Sequence, residues 1–464
     1  MSNHNFLILK KVTSKIGSGA TPSGGQSSYK KNGISLIRSQ NVLDMSFSQN
    51  GLAFIDDKQA SKLENVSVRE NDILLNITGD SIARVCKVPR EILPARVNQH
   101  VSIIRANSNI DPDYLLYYLI FRKNYLLTIG RVGGTRNALT KEAIEKIEVR
   151  IDDNNKKIAK VLSNLDSKIK LNNRINSELE AMAKLLYEYW FVQFDFPYDL
   201  RQSKPADKTS RPQDIKPYKS SGGKMVWNKD LNREIPEGWE VKNLEECLET
   251  IVDYRGKTPR KLGSDWSENL NDIVALSAKH VKNGKLVNLQ NANRVNEELY
   301  EIWMKQKLMY GDILMTSEAP CGEFFYLVGK TNFCLSQRLF AIRSDSNIVE
   351  HSYLFFELSY GNGYSQILGK VSGSTVFGIR QDELRTVKVL IPQIEPQMNF
   401  SQKAEPIFQR IRNNDYQNEE LSALRDWLLP MLMNGQVTVA DAEERVNEEL
   451  GMAAEEERGR YGKK

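Results

Sequence analysis

The sequence predicts an α+β fold: two mixed-sheet domains related by a pseudo-twofold, joined by two long antiparallel coiled-coil helices. Three observations predict it. The chain of 464 residues repeats itself at an offset of about 240 residues, each repeat is built of short strand-like runs, and after each repeat the apolar spacing changes to that of a packed helix.

The repeat is carried by ordered matches. Gly311-Asp312-Ile313-Leu314-Met315 answers Asn71-Asp72-Ile73-Leu74-Leu75, Ser336-Gln337-Arg338 answers Asn98-Gln99-His100, and Tyr353-Leu354 answers Tyr114-Leu115. Gly369-Lys370-Val371-Ser372-Gly373-Ser374 answers Gly130-Arg131-Val132-Gly133-Gly134-Thr135. A solenoid repeats every 20 to 50 residues or so, and a period this long means two copies of a whole domain. Two copies in one chain suit a target with two parts.

The first domain spans residues 1–150. It alternates strand-like runs at 34–37, 72–76 and 101–105 with Gly, Ser and Asn turns, and holds one helical stretch near 113–122. The second domain, 236–392, follows the same plan.

Residues 151–196 and 393–435 are the two helices. In the first, Ile158, Leu162, Leu165, Ile169, Asn172, Asn176, Leu179, Ala183, Leu186 and Trp190 keep a 4-3 alternation. At an offset of 242 the second reads Ile407, Ile411, Asn414, Asn418, Leu421, Arg425, Leu428 and Leu432. A helix of 30 to 36 residues is about 45 to 55 Å long. Two domains that each run into one helix are most simply joined by an antiparallel pair, in which Asn172 faces Asn418 and Asn176 faces Asn414. Buried amides fix register, because a slip leaves them without partners.

Residues 197–235, rich in Pro, Ser, Lys and Gly, form a linker that carries the chain back for the second repeat. The tail, 436–464, reads as a polar helical appendage in solvent.

Composition excludes several classes. The chain is 40% hydrophobic and 27% charged, with no apolar run near the 18 or so residues of a membrane span. Its N-terminus lacks a secretory pattern, so the expected location is the cytoplasm. The four cysteines and four histidines do not cluster, so no metal is expected. Gly256-Lys257-Thr258 fails as a phosphate loop because Ile251 stands where glycine is required, and Gly329-Lys330-Thr331 fails at Phe324. No nucleotide-binding, methyl-transfer or nuclease motif is legible. The chain reads as a reader, not a catalyst.

Charge is uneven. Residues 1–150 hold 21 basic and 13 acidic residues, a net +8, whereas 236–392 hold 18 and 20, a net −2. The first repeat suits a polyanion, and the second requires a partner or a local basic patch.

Side chains suited to phosphates and base edges gather at corresponding points. After the Thr-Pro turns lie Thr21, Ser23 and Gln26 in one repeat and Lys257, Arg260 and Lys261 in the other. At the end of the first strong strand lie Arg38, Gln40 and Asn41, against Ser277, Lys279 and His280. Before each helix lie Arg131, Thr135, Arg136 and Asn137, against Lys370, Ser372, Ser374 and Thr375. These are the candidate DNA contacts.

Four further segments carry a family likeness. They are Gly19 with Thr21-Pro22-Ser23-Gly24-Gly25; the stretch from Lys216-Pro217-Tyr218 to Met225-Val226-Trp227; Ile235-Pro236-Glu237-Gly238-Trp239; and Leu424-Arg425-Asp426-Trp427-Leu428-Leu429-Pro430. In this order they resemble, over nearly the whole chain, the DNA-specificity subunit of type I restriction-modification enzymes.

The resemblance implies two target recognition domains, each reading half of a bipartite site in double-stranded DNA. It implies two helices that act as spacer and as docking surface for two methyltransferase (modification) subunits, with restriction and motor subunits joining through the complex. S-adenosylmethionine, ATP and Mg would belong to those partners. The first repeat departs from the pattern by opening on Phe6-Leu7-Ile8-Leu9-Lys10 in place of Pro-Glu-Gly-Trp, which leaves the packing of its first strand open. The rival readings are a stand-alone regulator with two DNA modules and a bifunctional enzyme, for which the repeats leave no room.

Overall fold

The computed structural model describes residues 5–131, 137–199, 215–373 and 377–461. The chain divides into two compact units, Met1–Leu171 with Gln417–Lys464, and Asn172–Tyr416. The division cuts both long helices, so each unit holds one recognition domain and a piece of each helix.

In the first unit an antiparallel sheet runs in the order Thr13–Ser18, Val101–Ala106, Ile73–Asn76, Val85–Lys87. A second, mixed sheet runs Ala53–Ile55, Ile34–Ile37, Ala95–Val97, Ser67–Val68, with its two central strands parallel. Side chains of a strand alternate between faces, which explains why Ile73–Asn76 is buried throughout. Leu74 joins Leu36, Ile37 and Val97 in the core between the sheets. Ile73 and Leu75 turn the other way, onto Tyr114, Leu115 and the long helices.

The second unit repeats this plan. Its antiparallel sheet is Leu248–Asp253, Leu339–Ser344, Ile313–Thr316, Phe324–Tyr326. Its mixed sheet is Arg294–Val295, Ile273–Leu276, Cys334–Leu335, the last two parallel.

The two domains share their polar fastenings as well. Arg105 grips the fully buried Asp72 with two hydrogen bonds, 2.7 and 2.8 Å, and Arg343 grips Asp312 with two at 2.8 Å. Each carboxylate also accepts a backbone N–H, from Arg69 and from Met309. Such charge-assisted, two-pronged pairs hold geometry as well as energy. The hydroxyls of Tyr114 and Tyr353 donate to the carbonyls of Arg150 and Leu390. The opening strand of the first repeat, Asn5–Ile8, pairs antiparallel with Glu148–Ile151, as Glu240–Asn243 does with Lys388–Ile391. The unusual N-terminal sequence therefore packs as its counterpart does.

The long helices are Asn155–Tyr187, which continues through a wider turn at Glu188–Val192, and Ile394–Asn434. In the first unit Ile158, Leu162 and Leu165 share a core with Leu421, Leu428 and Leu432, Arg425 pairs with Asp166 at 2.8 Å, and Arg150 donates to the Met433 carbonyl. In the second unit Asn176 donates to Asp415 at 2.9 Å and accepts from Asn414 at 2.7 Å, and Trp190 lies edge-on to Phe400. Within each unit rising numbers on one helix meet falling numbers on the other, so the segments run antiparallel. Asn172 is buried and Asn418 half-buried.

The linker carries contacts of its own: Pro197–Asp199 pairs with Ile215–Pro217, and Phe196 stacks on Tyr218 and on Trp239. Apolar side chains that sequence polarity hid, Phe194 and Phe196 among them, hold it to the second unit. The tail forms a helix, Val439–Tyr461, whose Ala442 and Val446 are buried in the first unit's core rather than left in solvent. Among the described residues no helix is long and apolar enough to cross a membrane.

Asn176→Ala removes three hydrogen bonds, to the Ile411 carbonyl, to Asp415 and from the buried Asn414, and is expected to lower stability by about 1–3 kcal/mol, measurable by urea unfolding. Glu357, fully enclosed and hydrogen-bonded by Tyr187 at 2.5 Å, is pushed up to about 7 by burial. Its carboxyl holds a proton in the folded state that the unfolded chain releases above its ordinary 4.5, so stability falls as pH rises from about 4.5 to about 7. Glu357→Gln is expected to flatten that slope in a pH series of thermal melts.

Candidate nucleic-acid interface

Parallel neighbours end on the same side, so the loops after two parallel strands must meet. In the second repeat these are Ser277–His280, after Ile273–Leu276, and Ser336–Arg338, after Cys334–Leu335. They are stitched by Ser336 N–H to the Leu276 carbonyl (2.8 Å) and Ala278 N–H to the Gln337 carbonyl (3.2 Å). The Thr-Pro turn closes the third side, with the Thr258 hydroxyl accepting from Lys261 N–H. Together they enclose a cavity of about 590 Å³. Arg260, Trp266, Lys279, Gln337 and Arg338 line it and are exposed.

The charged lining is Arg260, Lys279 and Arg338 against Asp265. This is a local basic patch in a domain whose net charge is −2. A patch of this kind is what the less basic repeat requires if it is to face a polyanion.

The first repeat brings the same pieces together. Asn98 N–H donates to the Ile37 carbonyl, and the Thr21 hydroxyl bonds the Gln99 side chain. Gly19 lies against this loop so closely that a Cβ would fall 1.6 Å from the Val97 carbonyl oxygen, which is why glycine stands there. Arg38 and Gln40 both donate to the Gly51 carbonyl, and the Arg38 guanidinium lies 5.4 Å from the centre of the Tyr29 ring.

The third predicted segment meets this site through one residue pair per repeat. Thr78 bonds His100 at 2.6 Å and bridges to Ala138; Glu318 pairs with Arg338 at 2.9 Å and bridges to Gly378. Gly378 in turn exchanges backbone hydrogen bonds with Ser372. Lys370 is paired with Glu383 at 3.6 Å, and Arg131 and Asn137 are exposed. Thr135, Arg136, Ser374, Thr375 and the Gln26 side chain lie outside the described residues.

Four expected contacts take other roles. Asn41 is fully buried: its side-chain oxygen accepts from Arg38 N–H, and its amide donates to the Ser48 carbonyl. His280 is buried at the corresponding point, with Nδ1 accepting from Ser277 N–H at 3.0 Å. Both shape the reading loop from beneath. Lys257 donates to the Trp303 carbonyl and Lys261 to that of Gly256, so these two ammonium groups brace the turn. Thr21, Ser23, Ser277 and the exposed Arg260 and Lys279 sit at or beside the loops.

Sequence reasoning matched Gln99-His100 with Gln337-Arg338 as a repeat without assigning them to the site, and missed Trp266 altogether. The signal was available for the first set: a polar triplet directly after a short apolar run is a strand end.

A family model described as the type I restriction modification DNA specificity domain matches residues 9–181 and again 236–423. The chain belongs to this family. Its specificity subunits include that of the type I restriction enzyme MjaIX of Methanocaldococcus jannaschii, 26% identical over 75% of this chain and 74% of the relative. They also include that of HindI of Haemophilus influenzae, 23% identical over 87% and 94%. The crystal structure of the S subunit of a type I restriction-modification system from M. genitalium has the same fold, with a TM-score of 0.54 at 11% identity, covering 93% of this chain and 97% of that one. The protein is thus a type I specificity subunit with two recognition domains, not a stand-alone regulator.

Burial holds the His280 imidazole down to about 4, so it is neutral at pH 7. The unfolded chain takes up a proton near 6.5 that the folded chain refuses until about 4, so stability falls as pH drops through that window. His280→Asn, which installs the first repeat's residue, is expected to remove this loss in acid unfolding measured by circular dichroism.

Proposed function

We propose that each recognition domain of this specificity subunit reads one half of a bipartite site in double-stranded DNA through the loops beyond its two parallel strands. One observation carries the reading: the same three-sided arrangement is built twice, with different side chains at equivalent points. Ser23 answers Arg260, Gln40 answers Lys279, and His100 answers Arg338. Two matching frames with unlike contents suit two unlike half-sites.

The antiparallel helices set the spacing between the half-sites and dock modification subunits. Tying two weak readers together raises affinity through effective concentration. The chain itself performs no chemistry. S-adenosylmethionine, ATP and Mg act on modification and motor subunits, and the complex works in the cytoplasm.

Adenine methylation mapped by long-read sequencing tests this in cells carrying the complex. Arg260→Ala with Arg338→Ala is expected to relax or abolish recognition at one half-site only, since a guanidinium that reads a base edge contributes about 1–3 kcal/mol. An unchanged motif overturns the assignment of the cavity. Deleting one heptad from both helices is expected to change the preferred spacer, and an unchanged spacer overturns the role of the helices as a ruler.

A further inference from the structure

At an offset of 242, Met182, Leu185, Tyr189 and Val192 of the first long helix correspond to Leu424, Trp427, Met431 and Asn434 of the second. The first four are spaced 3, 4 and 3, the spacing of a seam between helices. They nevertheless stand exposed, 60%, 63%, 39% and 39%, beside the core residues Ala183, Tyr187 and Trp190. A continuous apolar stripe in solvent marks a docking face.

The counterpart face is treated differently. Leu424 and Met431 are half-buried, and Trp427, still 39% exposed, has the Arg445 guanidinium 4.3 Å from the centre of its ring. Arg445 belongs to the C-terminal helix, whose Ala442 and Val446 sit in one apolar cluster with Leu428, Leu429 and Leu432. In the first unit, then, a helix already lies against part of the matching face, at Trp427. After the first long helix the chain instead enters the strand Pro197–Asp199.

We infer that the C-terminal helix is a displaceable occupant of one of two docking faces. A first modification subunit seats an amphipathic helix on the open stripe of Met182, Leu185, Tyr189 and Val192. A second gains its face only by lifting Val439–Tyr461. The inference rests on the proposal that the long helices dock modification subunits, and the C-terminal helix shows what such a face accepts: small apolar residues inward, Glu443, Glu444 and Glu448 outward. A face that is free only part of the time binds with an affinity lowered by that fraction. The two modification subunits are therefore taken up in order, and the complex with one is a discrete intermediate.

The test titrates the full chain with purified modification subunit, counting subunits by native mass spectrometry and measuring both steps by calorimetry. The wild-type chain is expected to show two steps separated by about tenfold or more in Kd. Leu185→Glu should abolish the tighter step and leave the weaker. Truncation after Gln436 should bring the weaker step toward the tighter. Arg445→Ala, which removes only the stack on Trp427, should do so in smaller measure and keeps the test open where truncation unfolds the first unit. Equal steps in the wild-type chain, or a second step indifferent to both tail variants, overturns the ordering. A tight step that survives Leu185→Glu overturns the stripe. A wild-type chain that takes up no modification subunit overturns the docking proposal itself, a different result from two subunits bound without order.

Discussion

Everything in this molecule depends on an apolar face that a recognition domain cannot cover by itself. Ile73, Leu75 and Ile104 of the first antiparallel sheet, with Tyr114 and Leu115 behind them, form one side of a core whose other side is supplied by two helical segments from distant parts of the chain. The second unit is closed likewise, by Ala183, Tyr187 and Trp190 together with Phe400, Ala404 and Phe408. Burial of apolar area at about 25 cal/mol per Å² drives this closure, and it is indifferent to direction. Direction and register come from the polar pairs set into it, Asp166 with Arg425 in one unit and Asn176 with Asn414 and Asp415 in the other. A buried amide or carboxylate accepts few partners, so a slipped pairing leaves it unsatisfied.

The candidate loops inherit their position from the sheets. Two parallel strands end together, an Asp-Arg clasp holds the antiparallel sheet, and a buried side chain at the same point of each repeat, Asn41 or His280, caps the loop from below. Variation is left to the outward residues. The frame can thus keep its shape while its contents change, which is what reading different half-sites with one architecture requires.

Much of this was legible in the sequence. The strands at 34–37, 72–76 and 101–105 follow from short apolar runs bounded by turn residues, the helices from their 3.5-residue period, and the facing of Asn176 and Asn414 from that period once the repeat implies an antiparallel pair. The candidate site was half legible. Residue type suggested Arg260, Lys279 and Arg38, but type does not distinguish an outward Lys279 from Lys257 and Lys261, whose ammonium groups bend back onto carbonyls. Nor does it reveal that Asn41 and His280 point inward, since both are polar residues in a polar loop. Their burial is set by a capping geometry that needs the strand end in place. The tail misled for the opposite reason: its acidic surface outweighed Ala442 and Val446 in composition, although those two residues decide where it lies.

The first unit joins Met1–Leu171 to Gln417–Lys464, and that arrangement governs how the chain is born. A ribosome making about 5–20 residues per second finishes the N-terminal portion long before the segment that completes it. The 245 residues from Asn172 to Tyr416 lie between. For roughly 10 to 50 s, then, Leu162 and Leu165 emerge without their eventual neighbours Leu421, Leu428 and Leu432. Nascent copies of this protein are a natural client for chaperones, and a transcript cut short before the second long helix yields a first domain with its oily side uncovered.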